Sequence, residues 1–168
     1  KKQLKQITES ASNPPLLFAL PHLSVRAGAD GAFGWPPVDG GKRVQPDDWS
    51  DYLGRLEKRQ KAGEWIIATA FPQFHDYYDE GEGRPSYGFI DHRNGKTFSE
   101  TLDRAMQSES KIVQIATWND FGEGTMIEPT REFGYQFLEK IQQTTNSRQD
   151  FLKSDLRLPV LLYRLRKR

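Results

Sequence analysis

The sequence predicts an α/β fold in which parallel strands are covered by helices. Apolar runs without polar alternation, such as residues 65–71 and 112–116, are typical of strands buried on both faces. Amphipathic segments separate these runs, in the order strand, strand, helix, strand, helix, strand, helix, helix. That alternation is typical of a parallel sheet. In both clear cases a polar, aromatic-rich loop follows the strand, and function lies on that edge of parallel sheets.

Four apolar runs are the expected strands. Residues 16–20 end at a proline, and residues 29–35 are a weaker candidate that also ends at prolines. Residues 65–71 form the clearest run, and the last strand is expected within residues 111–118. Their short lengths and the flanking prolines favour buried strands over helices.

Four helices are expected within a single domain, residues 1–168. The first begins near Pro46, which suits a first-turn position, and ends at Gly63. A capping box at residues 97–100 predicts the start of the second helix. The third is expected over residues 131–144. A polar linker over residues 145–155 leads to a last amphipathic helix, residues 156–168, started by Ser154 or Asp155.

The composition excludes several classes of site and partner. Lys and Arg total 24 against 23 acidic residues, which lacks the basic excess typical of nucleic-acid binders. The one basic concentration, residues 164–168, is more typical of a solvated helix end. No apolar run approaches the roughly 20 residues that span a bilayer. We therefore expect neither nucleic acid nor membrane as a partner. The absence of cysteine excludes disulfides and thiolate metal sites.

The densest group of polar residues is the segment 117–130, which begins where the last expected strand ends. Asp120 and Glu123 lie at most about 10 Å apart along the backbone, and neighbouring glycines permit a closer turn. Glycosidic cleavage needs one carboxylic acid to protonate the leaving oxygen and one carboxylate as base or nucleophile. Two close carboxylates raise the pKa of one of them, which helps supply the acid. The alternative is that Asp120 caps a turn and Glu123 is solvated.

The same segment resembles two families of glycoside hydrolases. Residues 117–123, Thr-Trp-Asn-Asp-Phe-Gly-Glu, look like the catalytic strand end of family 71, which carries a Trp-Asn-Asp-aromatic-Gly-Glu segment. Residues 124–128, Gly-Thr-Met-Ile-Glu, are similar to family 99, the endo-acting α-mannan hydrolases, whose pair lies in Glu-Trp-His-Glu-Gly-Thr-Gln-Ile-Glu. The chain therefore resembles a bacterial protein of the family 71/99-like group, more loosely over about residues 30–141.

The resemblance implies an activity and roles for the two carboxyl groups. It implies hydrolysis of α-linked glycans, mannan- or glucan-like, with Asp120 as base and Glu123 as general acid/base. An oligosaccharide or polysaccharide is the implied partner, no cofactor is needed, and a secreted or periplasmic location is expected, although the chain shows no signal peptide. Asp120, Gly122 and Met126 stand where family 99 has Glu, His and Gln. The alternative is a non-catalytic carbohydrate-binding or scaffold protein on the same fold.

The resemblance also implies a (β/α)8 barrel of the TIM type. A full barrel takes about 250 residues, so we expect this chain to be its C-terminal half. Half a barrel exposes two sheet edges, which favours association with a missing N-terminal half or with another copy. We expect these residues on their own to hydrolyse polysaccharide poorly.

Further residues are expected to bind the substrate beside the pair. Trp118 and Asn119 precede Asp120, and a second group, His75, Asp76 and Tyr78, follows the strand at 65–71. Asp30 and Trp35, at the end of the weaker strand, and Glu128 complete the set. A surface loop without a role is the alternative for the second group, and a charge at the start of the next helix is the alternative for Glu128. The histidines lack a tight ligand spacing, so no catalytic metal is expected.

Overall fold

The computed structural model describes residue 10 and residues 12–81, 83–145 and 152–167. The strands are β1 (Phe18–Ala19), β2 (Gly31–Phe33), β3 (Lys42–Arg43), β4 (Trp65–Ala70), β5 (Phe74–His75), β6 (Gly88–Ile90) and β7 (Val113–Ile115). The helices are α1 (Ser24–Ala27), α2 (Pro46–Lys61), α3 (Lys96–Gln107), α4 (Gln136–Thr145) and α5 (Leu158–Arg166), with short 3₁₀ turns at Arg93–Gly95 and Lys153–Arg157.

The main sheet has four parallel strands in the order β1, β2, β4, β7. Gly31 of β2 pairs with Trp65 of β4, and Ala68 of β4 pairs with Val113 of β7. Neighbours in the sheet therefore follow one another along the chain, and helices α2 and α3 connect them. The predicted fold of parallel strands and covering helices is confirmed, although β1, β2 and β7 are shorter than the apolar runs that predicted them.

A second, three-stranded sheet lies in the loops that follow β2 and β4. Its order is β3, β6, β5; β3 runs parallel to β6, and β5 runs antiparallel to it. Part of the polar loop expected after residues 65–71 is therefore regular structure, because β5 and β6 pair within it. The small sheet gives the loops after the main strands a fixed backbone.

Two apolar cores lie between the main sheet and the helices. In β4, Ile66 packs with the buried side of α2, while Ala68 and Ala70 pack with α3 and α4. The largest buried side chains of the first core are Trp49, Phe71 and Phe74, and those of the second are Phe98, Phe133 and Phe137. Small residues at 68 and 70 let two helices approach the strand closely, which fixes the strand end that carries the site.

Two of the predicted helix starts are wrong. Helix α3 begins at Lys96, and its N-cap is Gly95, with a φ of 83°. Residues 97–100 therefore lie inside the helix and do not form a capping box. The Thr97 hydroxyl instead donates to the Asp91 carbonyl at 2.6 Å. Helix α4 begins at Gln136 because residues 131–135 form a turn closed by a bridge between Thr130 and Gly134.

Only part of the predicted linker and last helix falls on described residues. Residues 146–151 of the expected linker lie outside the described residues. After them the backbone forms a 3₁₀ turn, in which the Asp155 carboxylate accepts the Leu152 N–H at 2.8 Å, and α5 follows. Arg164 and Arg166 are exposed in its last turn, as expected for a solvated helix end. None of the helices in the described ranges is long and apolar enough to cross a membrane.

Thr101 offers a test of how α3 is attached to the sheet. Its fully buried hydroxyl accepts the Phe71 N–H at 3.1 Å and lies 3.0 Å from the Phe71 carbonyl oxygen. We expect Thr101→Val to lower the free energy of unfolding by about 1–3 kcal/mol, since the isosteric methyl removes the partner of a buried N–H. Urea unfolding measures this loss. The control is Thr145→Val, because that exposed hydroxyl donates to the Ile141 carbonyl of its own helix. Equal losses would contradict the expectation.

Candidate active site

The loops that follow β4 and β7 meet at the carboxyl edge of the sheet. His75 N–H donates to the Glu123 carbonyl at 2.8 Å, and Tyr77 N–H donates to the Gly122 carbonyl at 3.0 Å. The buried Gln73 side chain donates to the Gly124 carbonyl at 2.6 Å. These backbone contacts arise because β4 and β7 are neighbours whose parallel ends lie at one edge. Two of the segments predicted to form the site are thereby brought together.

A tight turn holds Asp120 and Glu123 next to each other. The Asp120 carboxylate accepts the Glu123 N–H at 3.0 Å, and Asp120 N–H donates to the Thr117 hydroxyl at 3.0 Å. Thr125 N–H closes the turn on the Asp120 carbonyl at 3.2 Å. Asp120 thus caps the turn, as its alternative interpretation predicted. The same bond also places its negative charge beside Glu123.

Two glycines make this turn possible. Gly124 has φ of 63°, and a Cβ there would lie 3.0 Å from the His75 carbonyl oxygen. A Cβ at Gly122 would lie 2.7 Å from the hydroxyl oxygen of Tyr78, whose ring covers the glycine. A histidine at position 122, as in family 99, would need the space that Tyr78 fills. The glycine that replaces the histidine of that family's motif is therefore matched by Tyr78 in the loop after β4.

Asp76 is an anchor for the loop rather than a surface group. Its buried carboxylate accepts Arg84 Nη1–H and Tyr87 N–H, both at 2.7 Å, and Tyr78 N–H at 3.2 Å. Burial by itself raises the pKa of Asp76, but these donors outweigh it and lower the pKa. The prediction that Asp76 binds substrate directly is corrected here, because its side chain is 0% exposed and its oxygens are occupied.

Glu123 has an environment that favours its protonated form. Its side chain is 18% exposed, and burial is the largest cause of a raised pKa. The charge of Asp120 raises the pKa further, and Asp76 adds to this. Arg84, whose Nη2 lies 3.9 Å from Glu123 Oε1, and a hydrogen bond from the Trp35 side chain act in the opposite direction. Glu123 therefore keeps a proton at higher pH than an ordinary glutamic acid.

Trp35 reaches the site from the end of β2. The Trp35 backbone N–H donates to the Tyr52 hydroxyl of α2 at 3.2 Å. The preceding carbonyl, of Gly34, accepts the Thr69 hydroxyl at 2.9 Å and the Gln114 amide at 3.0 Å. Bonds from three elements thus hold the backbone that presents Trp35 to Glu123.

Asp30 lies at the opposite edge of the sheet from Trp35. The prediction that it ends the strand is wrong, because β2 begins at Gly31, after Asp30. Its carboxylate accepts the Leu17 N–H at 2.7 Å and so joins the chain before β1 to the start of β2. Strands in this sheet are parallel, so their starts and ends lie on opposite edges.

Exposed aromatic rings lie in the two segments that carry the carboxyl pair and Arg84. Trp118, Phe121, Tyr78 and Tyr87 are each about half exposed, and Asn119 is exposed beside them. Flat rings of this kind can cover the apolar face of a sugar while polar groups bind its hydroxyls.

His75 and Glu128 are placed differently from these rings. His75 Nε2 lies 2.9 Å from Glu80 Oε1, and its ring packs on Tyr77 at 4.0 Å between centroids. Glu128 is half-buried, and its N–H donates to the Trp118 carbonyl at 2.9 Å. Because α4 begins only at Gln136, Glu128 does not charge the start of that helix. The alternative interpretation of Glu128 is therefore wrong.

Sequence reasoning missed Arg84, Tyr87 and Tyr52. The long polar loop after β4 was expected to serve function, and Arg84 stands in it between Gly83 and Pro85. Nothing local distinguishes it, because its contacts with Asp76 and Glu123 depend on the folded path of the loop. Over the described ranges, no three His, Cys, Asp or Glu side chains are grouped so that they could hold a metal ion.

Comparisons with known proteins agree with this architecture. The sequence matches the family described as Glycosyltransferase WbsX over residues 42–141. The search of curated proteins gives no match. A solved structure of the GH99 endo-α-mannosidase from Bacteroides thetaiotaomicron, in complex with Bis-Tris propane, is similar with a TM-score of 0.51 and 17% identity, covering 80% of this chain and 47% of that one. A second structure of a GH99 endo-α-mannosidase from that organism gives 0.51 and 18%, covering 79% and 44%.

A third structure, titled glycoside hydrolase-like protein, has a TM-score of 0.53 and 15% identity, covering 85% of this chain and 48% of that one. The chain thus spans about half the length of these structures. At such identities the likeness shows the fold, so the four parallel strands are part of a (β/α)8 barrel. The suspected relation to the family 71/99-like group is confirmed. This chain shares its fold with the two GH99 structures. The family match covers more than half of the chain, which therefore belongs to the family described as Glycosyltransferase WbsX.

Proposed function

We propose that this protein cleaves glycosidic bonds within α-linked glycans, mannan- or glucan-like, using Asp120 as base and Glu123 as general acid/base. The observation that carries the proposal is Glu123 itself, a largely buried carboxyl group whose pKa is raised by burial and by Asp120. It stands after a parallel strand, where active sites of barrel enzymes lie. The raised pKa keeps a proton on Glu123 at higher pH than on an ordinary glutamic acid, as a general acid requires.

The two carboxyl groups would act in sequence. Protonated Glu123 gives its proton to the leaving glycosidic oxygen while Asp120 takes the proton of the neighbouring 2-hydroxyl, whose oxygen closes on the anomeric carbon as a 1,2-anhydro sugar. Glu123, now a carboxylate, then takes a proton from the water that opens this ring, and Asp120 returns its proton to the 2-oxygen. This order follows the resemblance to family 99. Asp120 is one methylene, about 1.5 Å, shorter than the glutamate of that family, so the sugar would have to bind closer to the turn.

The surroundings of the pair favour a neutral glycan as substrate. Trp118 and Tyr78 offer half-exposed rings for pyranose faces, and Asn119 and Glu128 offer polar groups for hydroxyls. Trp35 and His75 would limit the sugar's position near Glu123. With Glu123 protonated and Asp76 paired with Arg84, Asp120 leaves one net negative charge at this edge, which disfavours phosphorylated ligands.

Glycosyl transfer is the second candidate, favoured by the name of the family to which the chain belongs. The same pair would serve if an acceptor hydroxyl replaced water in the second step. The negative charge of Asp120 argues for a glycoside as donor instead of a sugar linked to a nucleoside diphosphate. The nature of the acceptor would then separate a transferase from a hydrolase.

The test is made on the natural full-length protein with end-labelled α-mannan and α-glucan oligosaccharides. We expect shortened labelled products, and a loss of at least about 100-fold in rate for Asp120→Asn, because general base catalysis contributes that much or more. The matched control is Asp30→Asn, the same change at the opposite edge of the sheet, which should leave the rate unaltered. Lengthened products with added acceptor sugar would favour transfer. Glycan binding without any cleavage or transfer would mean a non-catalytic carbohydrate-binding protein and would overturn the proposal.

A further inference from the structure

Arg84 is the cation closest to the carboxyl pair among the contacts that the structure describes. Its side chain is 28% exposed, Nη1 donates to Asp76 at 2.7 Å, and Nη2 lies 3.9 Å from Glu123 Oε1. The guanidinium therefore bridges a buried carboxylate and the expected general acid.

Three neighbours fix the orientation of this guanidinium. Its carbon lies 3.6 Å from the centroid of the Tyr87 ring and 4.6 Å from that of Tyr78. Asp76 cannot follow the arginine if it moves, because backbone N–H groups of Tyr78 and Tyr87 also hold its oxygens. Stacking on two rings and a short bond to an immobile carboxylate together restrict the long side chain to one position.

The charged and polar groups around Glu123 act in two opposed directions. Asp120 from its own turn and Asp76 from the loop after β4 favour the protonated acid, as burial does. Arg84 from that loop and the Trp35 side chain from the end of β2 favour the carboxylate. In the proposed reaction Glu123 first gives a proton and then takes one, so both forms must be accessible at the working pH.

We propose that Arg84 is a positioning residue of this site: anchored on Asp76 and stacked between Tyr78 and Tyr87, it holds the Glu123 carboxyl group in place for proton transfer. The proposal rests on the proposed function, because it assigns Arg84 to the general acid/base of that reaction. It gives the loop after β4 a task other than contact with the sugar.

The first measurement is a carbon-13 NMR titration of the glutamate carboxyl groups, with the Glu123 signal assigned by its loss in Glu123→Gln. We expect a higher pKa of Glu123 in Arg84→Gln, because a nearby cation no longer stabilises the carboxylate. In Arg84→Lys the pKa should return towards the wild-type value, because the charge is kept. The matched control is Arg43→Gln, whose arginine also pairs with an aspartate, Asp91 at 3.2 Å, and stacks on a ring, Phe89 at 4.3 Å, away from Glu123.

The second measurement is the pH profile of kcat and KM in the full-length protein. In Arg84→Gln the alkaline limb of the kcat profile should move to higher pH, and kcat at the optimum should fall roughly 10- to 100-fold with a smaller change in KM, as expected when a reacting group is misplaced. Arg84→Lys should also lose kcat, because an ammonium cannot reproduce the forked geometry.

The outcomes separate this proposal from the proposed function. Turnover by the wild type, with an unmoved Glu123 pKa in folded Arg84→Gln, overturns the role of Arg84 and leaves the hydrolase intact. Absence of turnover in the wild type overturns both. Should Arg84→Gln not fold, Arg84→Lys decides the matter, and wild-type kcat in that variant would overturn the proposal.

Discussion

Replacing Glu123 by glutamine is expected to abolish turnover and, at neutral pH, to make the protein more stable. The loss follows because glutamine cannot donate a proton to the leaving oxygen, and we expect a fall of about 1,000-fold or more in kcat/KM. Glycan affinity should remain, since the amide keeps the shape of the side chain. The gain has a separate cause, which is the environment that raises the pKa of Glu123.

The sign of the stability change follows from proton binding. The folded-state pKa of Glu123 lies above its ordinary value of 4.5, so between these two values the folded protein binds more protons than the unfolded chain. Stability therefore falls as pH rises through this interval, and the loss is complete above the folded-state pKa. The glutamine side chain has no charge to bury, so the variant does not lose this stability as pH rises. The melting temperature of Glu123→Gln should exceed that of the wild type at pH 7, and the difference should vanish below the unfolded-state pKa.

Thermal unfolding across acid and neutral pH measures this difference, with Glu109→Gln as the control at an exposed position. Turnover measured on the same samples completes the experiment. A variant that stays active would exclude Glu123 as the acid. A variant that is inactive but no more stable at pH 7 would contradict a raised pKa of Glu123 in the folded protein.

Much of the fold could be predicted from the sequence because its signals are local. Helix α2 begins at Pro46 as predicted, with Asp47 and Asp48 in the first turn of the helix. The start of α3 was missed because it depends on a left-handed turn at Asn94 and Gly95 and on the Asp91 carbonyl that binds Thr97. The pairing of β5 with β6 was missed because strands of two and three residues are too short to show alternation.

In the site, too, features set by local sequence could be predicted and those set by distant contacts could not. That residues 117–123 follow a strand could be predicted, and so could their proximity to residues 75–78, since adjacent parallel strands end at one edge. Asp30 was misplaced because it stands at the start of the expected run 29–35, and the start of a parallel strand lies at the opposite edge of the sheet from its end. The contact of Arg84 with Asp76 and Glu123 could not be predicted, because it requires the folded path of the loop between β5 and β6.

Asp76→Asn is expected to cost about 2–4 kcal/mol of unfolding free energy at neutral pH. The change removes a buried charge from Arg84 and weakens the bond to Tyr87 N–H, and breaking a buried, hydrogen-bonded pair costs this much. The matched control is Asp91→Asn. Its partner Arg43 lies 3.2 Å away and is exposed, and an exposed ion pair contributes about 0–1 kcal/mol. Urea unfolding of both variants measures the two losses.

The loss in Asp76→Asn should depend on pH in the opposite direction to the gain in Glu123→Gln. The folded-state pKa of Asp76 lies below its ordinary value of 3.8, so its carboxylate stabilises the fold fully above that value and loses this contribution as pH falls through the folded-state pKa. The gap between wild type and Asp76→Asn should therefore narrow in acid. Hydrogen exchange at the Tyr78 and Tyr87 amides should be faster in the variant, because both donate to Asp76. Losses equal to those of Asp91→Asn, or unchanged exchange, would show that this carboxylate does not anchor the loop that carries Arg84.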